Sequence, residues 1–238
     1  LSDLESQNPK KPKSPATLNR YKAALSSFYT YLNDEHDIDH NPVKDIKSKP
    51  ENGSIVRFLS ENELERLLMA CRESEWGALY LLVLMAIETG ARRSELIGLR
   101  KIDIDIEKNQ ASLTMTKNGK PRVLTFTNDT ATEIKLQAGN KIGNALLFPS
   151  NKDSNKPFKH FEHYWHKALK DAKIKDFRFH DLRHTCASIL AQKGVPLNAI
   201  SEKLGHSNLS TTMIYAHLSV DTMHEITNMH LRIANYGK

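Results

Sequence analysis

The chain has 238 residues, 39% of them hydrophobic and 26% charged, with a formal net charge of +6. That length suits one sizeable domain plus a smaller piece, and the balance excludes a disordered chain. The longest apolar run, Ala78 to Ile87, is far shorter than the roughly 20 residues a bilayer-spanning helix needs.

The opening residues Leu1 to Glu5 lack the basic-then-apolar pattern of a secretory leader. Cys71 and Cys186 fall within helical patterns, so buried thiols in a reducing, cytoplasmic setting are expected. Residues 1–13 are polar and read as a flexible lead-in. Ser14-Pro15-Ala16-Thr17 opens a helix, because proline is tolerated in the first turn. Leu18, Tyr21, Leu25, Phe28, Tyr29 and Leu32 then recur at helical spacing, which predicts one long amphipathic face, and Asn41-Pro42 redirects the chain. The stretch from Lys47 to Ser54 has the composition of a linker.

Ser60 and Glu63 form a capping box, so a helix is predicted from there toward Arg72. A second, mostly buried helix covers Ala78 to Glu88 and is closed by Gly90; a short third carries Arg92 to Leu99. The period then changes to two. Ile102, Ile104 and Ile106 alternate with charges and predict a half-buried strand. Two more runs, Ala111–Thr116 and Arg122–Thr127, flank Asn118-Gly119, the strongest short hairpin signal, and place Lys117 and Lys120 on its shoulders. Helices are predicted at about 130–138, 158–171, 180–193, 197–204, 209–218 and 221–235. The fold class is mainly α with a small antiparallel β-sheet.

Three segments carry chemistry. Arg92 and Arg183 each offer a planar fork that can donate two hydrogen bonds to phosphate oxygens while staying charged. His180 stands three residues before Arg183, about 60° away on the same helix face, at a helix N-terminus. Gly205 closes a helix and leaves His206 free to project; Tyr215 follows nine residues later. A phenol with a pKa of about 10 needs help to become a nucleophile. His180 is the candidate base, and Lys117 could protonate a leaving oxygen. Lys120 and Arg122 are candidates for contacting DNA.

Together these residues carry a family resemblance. Thr89-Gly90-Ala91-Arg92-Arg93-Ser94-Glu95-Leu96, His180-Asp181-Leu182-Arg183-His184-Thr185, and Leu204-Gly205-His206 followed by Thr212-Met213-Ile214-Tyr215-Ala216-His217 resemble the signature boxes of the tyrosine recombinases, or phage integrases. The resemblance covers about residues 57–238. It implies a catalytic domain of that fold over 57–238, a linker at 51–56, and a partial helical core-binding domain in residues 1–50 whose first helices are missing. It further implies that Arg92, Lys117, His180, Arg183 and His206 assemble on a scissile phosphate in double-stranded DNA, and that Tyr215 forms a 3′-phosphotyrosyl link. A homo-tetramer on its recombination sites is implied as well, with accessory DNA-bending proteins as possible partners. The C-terminal segment Asp221–Tyr236, apolar at Met223, Ile226, Met229, Leu231 and Ile233, could pack on a neighbouring copy.

Each residue alone has a plainer explanation: a surface arginine paired with Glu95, a capping histidine, a half-buried tyrosine, hairpin-edge lysines. Three ordered boxes rarely arise by independent accident. No cofactor is expected. A Walker-type phosphate loop is absent from the sequence, His180 and His184 have zinc-pair spacing but with Arg183 beside them, and His160, His163 and His166 spread across about 120° of helix. Two other functions fit part of the pattern: type IB topoisomerase-like relaxation, and a DNA-binding accessory factor that does not cut.

Overall fold

The computed structural model describes residues 13–36, 38–51, 57–114, 121–140 and 142–219. Lys117, Lys120 and the segment Asp221–Tyr236 lie outside the described residues. The chain divides into two compact units, Leu1–Ile55 and Val56–Lys238.

In the first unit, α1 runs Pro15–His36, and the Ser14 hydroxyl accepts a hydrogen bond from the Thr17 amide at its start. Leu18 is buried, but Tyr21, Leu25, Phe28 and Tyr31 are exposed. Among the described residues, the face predicted from helical spacing is thus exposed at Tyr21, Leu25 and Phe28 and partly covered at Tyr29 and Leu32. Asn41 folds the following turn back, its side-chain amide donating to the Ser26 carbonyl and its Oδ1 accepting from Val43 N.

The second unit begins with α2, Glu61–Arg72, whose capping box uses Ser60 and Glu63 as the spacing predicts. Next, α3 spans Leu79–Thr89 and is buried nearly all round, as an apolar helix without a polar face must be. It is the central element: α2 packs on it, as do α5 (Asn128–Ala138) and α7 (Asp181–Gln192). Gly90 ends α3 in the left-handed region at φ 61°. The short α4, Arg93–Ile97, follows immediately.

The sheet has three antiparallel strands in the order β1 (Ile104–Asp105), β2 (Gln110–Leu113) and β3 (Arg122–Thr125). Leu113 faces Arg122 and Ala111 faces Leu124, the register a hairpin requires. The first strand is shorter than the isoleucine alternation predicts. Residues Lys101–Asp103 form a 3₁₀ turn because the Asp103 carboxylate accepts the Arg100 amide, which leaves Ile102 exposed. Similarly, α6 (Glu162–Asp171) starts at Glu162 and not near residue 158, since Phe158 N is held by the Phe148 carbonyl. An aromatic group of Trp76, Phe148, Phe158, Phe161 and Tyr164 packs beside it.

Helix α8, Leu197–Leu204, has the predicted bounds and ends at left-handed Gly205. The chain then forms two 3₁₀ helices, Leu209–Thr211 and Met213–Ser219, where the sequence predicts an α-helix over 209–218. Asn208 accepts the Ser210 amide, and Thr212 N and Tyr215 N bond three residues back, so the tighter pitch is set locally. No helix among the described residues is long and apolar enough to cross a membrane.

Candidate active site

Glu95 organises the first part of the site. Its carboxylate accepts Arg92 N at 2.7 Å, Arg92 Nη1 at 3.1 Å and Arg122 Nη2 at 2.6 Å. Burial pushes this acid upward, but the Arg92 amide and the Arg122 charge outweigh it and hold the carboxyl below its ordinary value. Arg122 also donates Nη1 to the Lys203 carbonyl at 2.9 Å, which ties β3 to the end of α8. Gly205 makes that approach possible: a Cβ there would sit 3.0 Å from Arg122 Cδ and 3.1 Å from Nη1. Arg122, a candidate for contacting DNA, thus spends its fork on the protein, with its side chain only 11% exposed.

The second part comes from α7. Arg183 is buried and donates Nη1 to the Gly90 carbonyl at 2.7 Å. Burial, with the charges of Arg92 and Arg122, lowers its pKa to about 10, so it stays cationic at neutral pH. His180 precedes the helix at its N-terminus and is exposed. Burial of the imidazole on its inner side and the Arg183 charge hold it below its ordinary pKa, against the pull of Asp181.

The third part follows α8. His206 Nδ1 shares a hydrogen bond with Thr212 Oγ1 at 2.8 Å. Burial and then the Arg183 and Arg92 charges push His206 down to about 4. Tyr215 is 1% exposed and packs with Cys186, Ala187, Ala191, Ile200 and Leu204. Burial raises its phenol to about 12, although Arg183 acts in the opposite sense. Its hydroxyl meets His184 Nδ1 at 2.5 Å.

Arg92, His180, Arg183, His206 and Tyr215, read from three separate segments, thus come into one neighbourhood where their charges act on one another. A cleft of about 690 Å³ opens beside Arg92, Arg122, Lys203, Gly205 and His206. Sequence reasoning missed two partnerships. Arg122 lies in phase with buried Leu124 and Phe126, not with exposed Val123, and that alternation points it inward. His184 shares the helix face of buried Ala187, Ser188 and Ala191, which marks it as an interior histidine.

A crystal structure of XerA recombinase is 25% identical and aligns with a TM-score of 0.62, covering 96% of this chain and 88% of that one. The XerH site-specific recombinase bound to a palindromic difH substrate, 23% identical, aligns with a TM-score of 0.72 over 90% of this chain and 67% of its own; this likeness shows the fold. By architecture the larger unit is therefore a tyrosine-recombinase catalytic domain. A tyrosine recombinase of Thermosipho africanus is 32% identical over 219 residues, which is 91% of this chain and 75% of that protein. The phage integrase family matches residues 57–221. The chain belongs to that family, as an enzyme of the tyrosine-type site-specific recombinase class.

Proposed function

We propose that this chain cuts and rejoins DNA strands at specific sites by transesterification through Tyr215, without metal or ATP. The observation that carries the reading is the proximity of Arg92, Arg183 and His206, whose charges act on one another, with Tyr215 within reach of the Arg183 charge and the Glu95 carboxylate shared by Arg92 and Arg122. A site so biased toward positive charge suits the two non-bridging oxygens of a phosphodiester, and donors fixed before the reaction stabilise the charge that develops there.

In this mechanism the Tyr215 oxygen attacks phosphorus and the 5′-oxygen leaves with a proton from Lys117. The 3′-phosphotyrosyl bond keeps the energy of the phosphodiester, so a 5′-hydroxyl from a partner strand reseals the backbone. The partner is double-stranded DNA at a recombination site, engaged by four copies that exchange their C-terminal segments, in the cytoplasm. Residues 1–50 act as part of a helical core-binding domain, joined to the catalytic domain by the linker 51–56.

A nicked suicide duplex tests this, because the short 5′ fragment diffuses away and traps the covalent intermediate. The intact chain should give a denaturation-resistant adduct and Tyr215→Phe none. Binding without an adduct would leave a non-cutting accessory factor. An adduct together with relaxation of supercoils by monomers, without strand exchange, would make the chain a topoisomerase.

A further inference from the structure

The hydrogen bond between Tyr215 and His184 has no part in the mechanism just given. His184 follows Arg183 on α7, half-buried, and Tyr215 arrives on the 3₁₀ helix packed against α7. The two rings are tilted with centroids 6.0 Å apart, and His184 stands perpendicular to His180 at 5.5 Å. The imidazole is therefore wedged between the exposed His180 and the buried phenol. His180 itself, the base suggested by its place beside Arg183, makes no hydrogen bond to Tyr215 among the described residues.

We propose that His184 is the catalytic group that takes the phenolic proton of Tyr215 as that oxygen attacks phosphorus, leaving His180 to face the phosphate. This rests on the reading of Tyr215 as nucleophile. In the forward step the Tyr215 oxygen–phosphorus bond forms and the phosphorus–O5′ bond breaks. The phenolic proton passes to His184 Nδ1 while Lys117 protonates the leaving oxygen. In resealing, the incoming 5′-hydroxyl gives its proton to Lys117 and His184 returns the other proton to the phenol.

The surroundings suit the role. The titratable and charged groups around His184 are His180, Asp181, Arg178 and Arg183 along α7 and the turn before it, Tyr215 from the 3₁₀ helix, and His206 from the segment after α8. Burial, then the His180 charge, holds the imidazole below its ordinary pKa against Asp181, so it is neutral at physiological pH and Nδ1 can accept a proton. The buried phenol, at about 12, does not ionise unaided. Its acidity rises as the new bond to phosphorus forms, and a base already within hydrogen-bond reach can then receive the proton.

The test uses the full chain on two nicked suicide duplexes, one with an ordinary scissile phosphate and one with sulfur in place of the bridging 5′-oxygen. Sulfur leaves without a proton, so the second duplex reports the attack alone. His184→Asn keeps a hydrogen-bonding atom near the Nδ1 position but cannot take a proton. It should slow adduct formation about 10²–10⁴-fold on both duplexes, whereas Lys117→Ala should be restored by sulfur. The rate of the intact chain should level off above the apparent pKa of His184, while that of His184→Asn should keep rising with pH. In His184→Ala, added imidazole should restore adduct formation, an effect that lost packing would not show. An unchanged rate in His184→Asn would reduce the histidine to a hydrogen-bond partner and overturn the proposal. A faster rate would make the contact a latch that holds Tyr215 idle, and overturn it equally. An intact chain giving no Tyr215-dependent adduct would instead defeat the proposed function itself, and this inference with it.

Discussion

Replacing Arg122 by methionine isolates the ion pair that joins β3 to the Arg92 segment. The pair is 2.6 Å long, between side chains 11% and 5% exposed. Removing one partner of a buried pair costs about 3–5 kcal/mol, because the other charge is left desolvated. Here Glu95 keeps two bonds from Arg92, and Arg122 Nε is itself buried with no hydrogen-bond partner among the described residues. Both facts pull the expected loss down to about 2–3 kcal/mol. For a domain of this size that corresponds to a fall in melting temperature of about 5–10 °C. Glu95→Gln should cost a similar amount, since it leaves Arg92 and Arg122 side by side without a counter-charge. The double variant removes both buried charges, and its loss should be about 1–2 kcal/mol smaller than the sum of the single losses. Urea unfolding of the four proteins measures the coupling. Additivity within about 0.5 kcal/mol would refute the view that this pair holds the strand to the site.

Gly90→Ala should destabilise the fold by about 2–4 kcal/mol, combining the left-handed penalty at φ 61° with overpacking, because the new Cβ would lie 2.3 Å from Leu204 Cδ2. Leu204 is fully buried and cannot swing aside; a loss under about 1 kcal/mol in urea unfolding would contradict this. Acidification should also weaken the fold. His206 falls from an ordinary 6.5 to about 4 on folding, and His180 and His184 shift in the same direction. The unfolded chain therefore binds protons first, and stability present above about pH 6.5 is lost as pH falls toward about 4. Thermal melting across that range should show a shallower decline in His206→Asn, and an equal decline would count against a neutral folded imidazole. Sulfate should lessen the decline in the intact protein, since an anion among the arginines favours the charged rings.

Helix bounds and caps were legible because their signals are local. Ser60 with Glu63, the apolar run before Gly90, and Gly205 after Leu204 each act within a few residues, and the structure places them as read. Ile102 departs from the strand that the alternation of isoleucines predicts because Asp103 competes, its carboxylate closing a turn on Arg100. The segment carrying Tyr215 has helical spacing in its side chains, but Asn208 and Thr212 set its pitch through bonds that spacing does not reveal. The site shows the same division. The residue types that suit phosphate could be named from the sequence, whereas partnerships across long stretches of chain could not. Arg122 and Glu95 are 27 residues apart, and His184 and Tyr215 are 31.

Gly90 sits where the three segments meet. It closes α3, its carbonyl receives Arg183 from 93 positions later, and its bare Cα faces Leu204 and Cys186. Contacts between residues so distant in sequence form late in folding, once most of the intervening chain has condensed. A chain emerging from the ribosome holds Arg92 long before it holds Arg183, His206 or Tyr215. During synthesis, then, Arg92 waits alone, and the candidate site is assembled only when α7 and α8 dock on that glycine. Completion of the fold is in this sense the last step in building the candidate site.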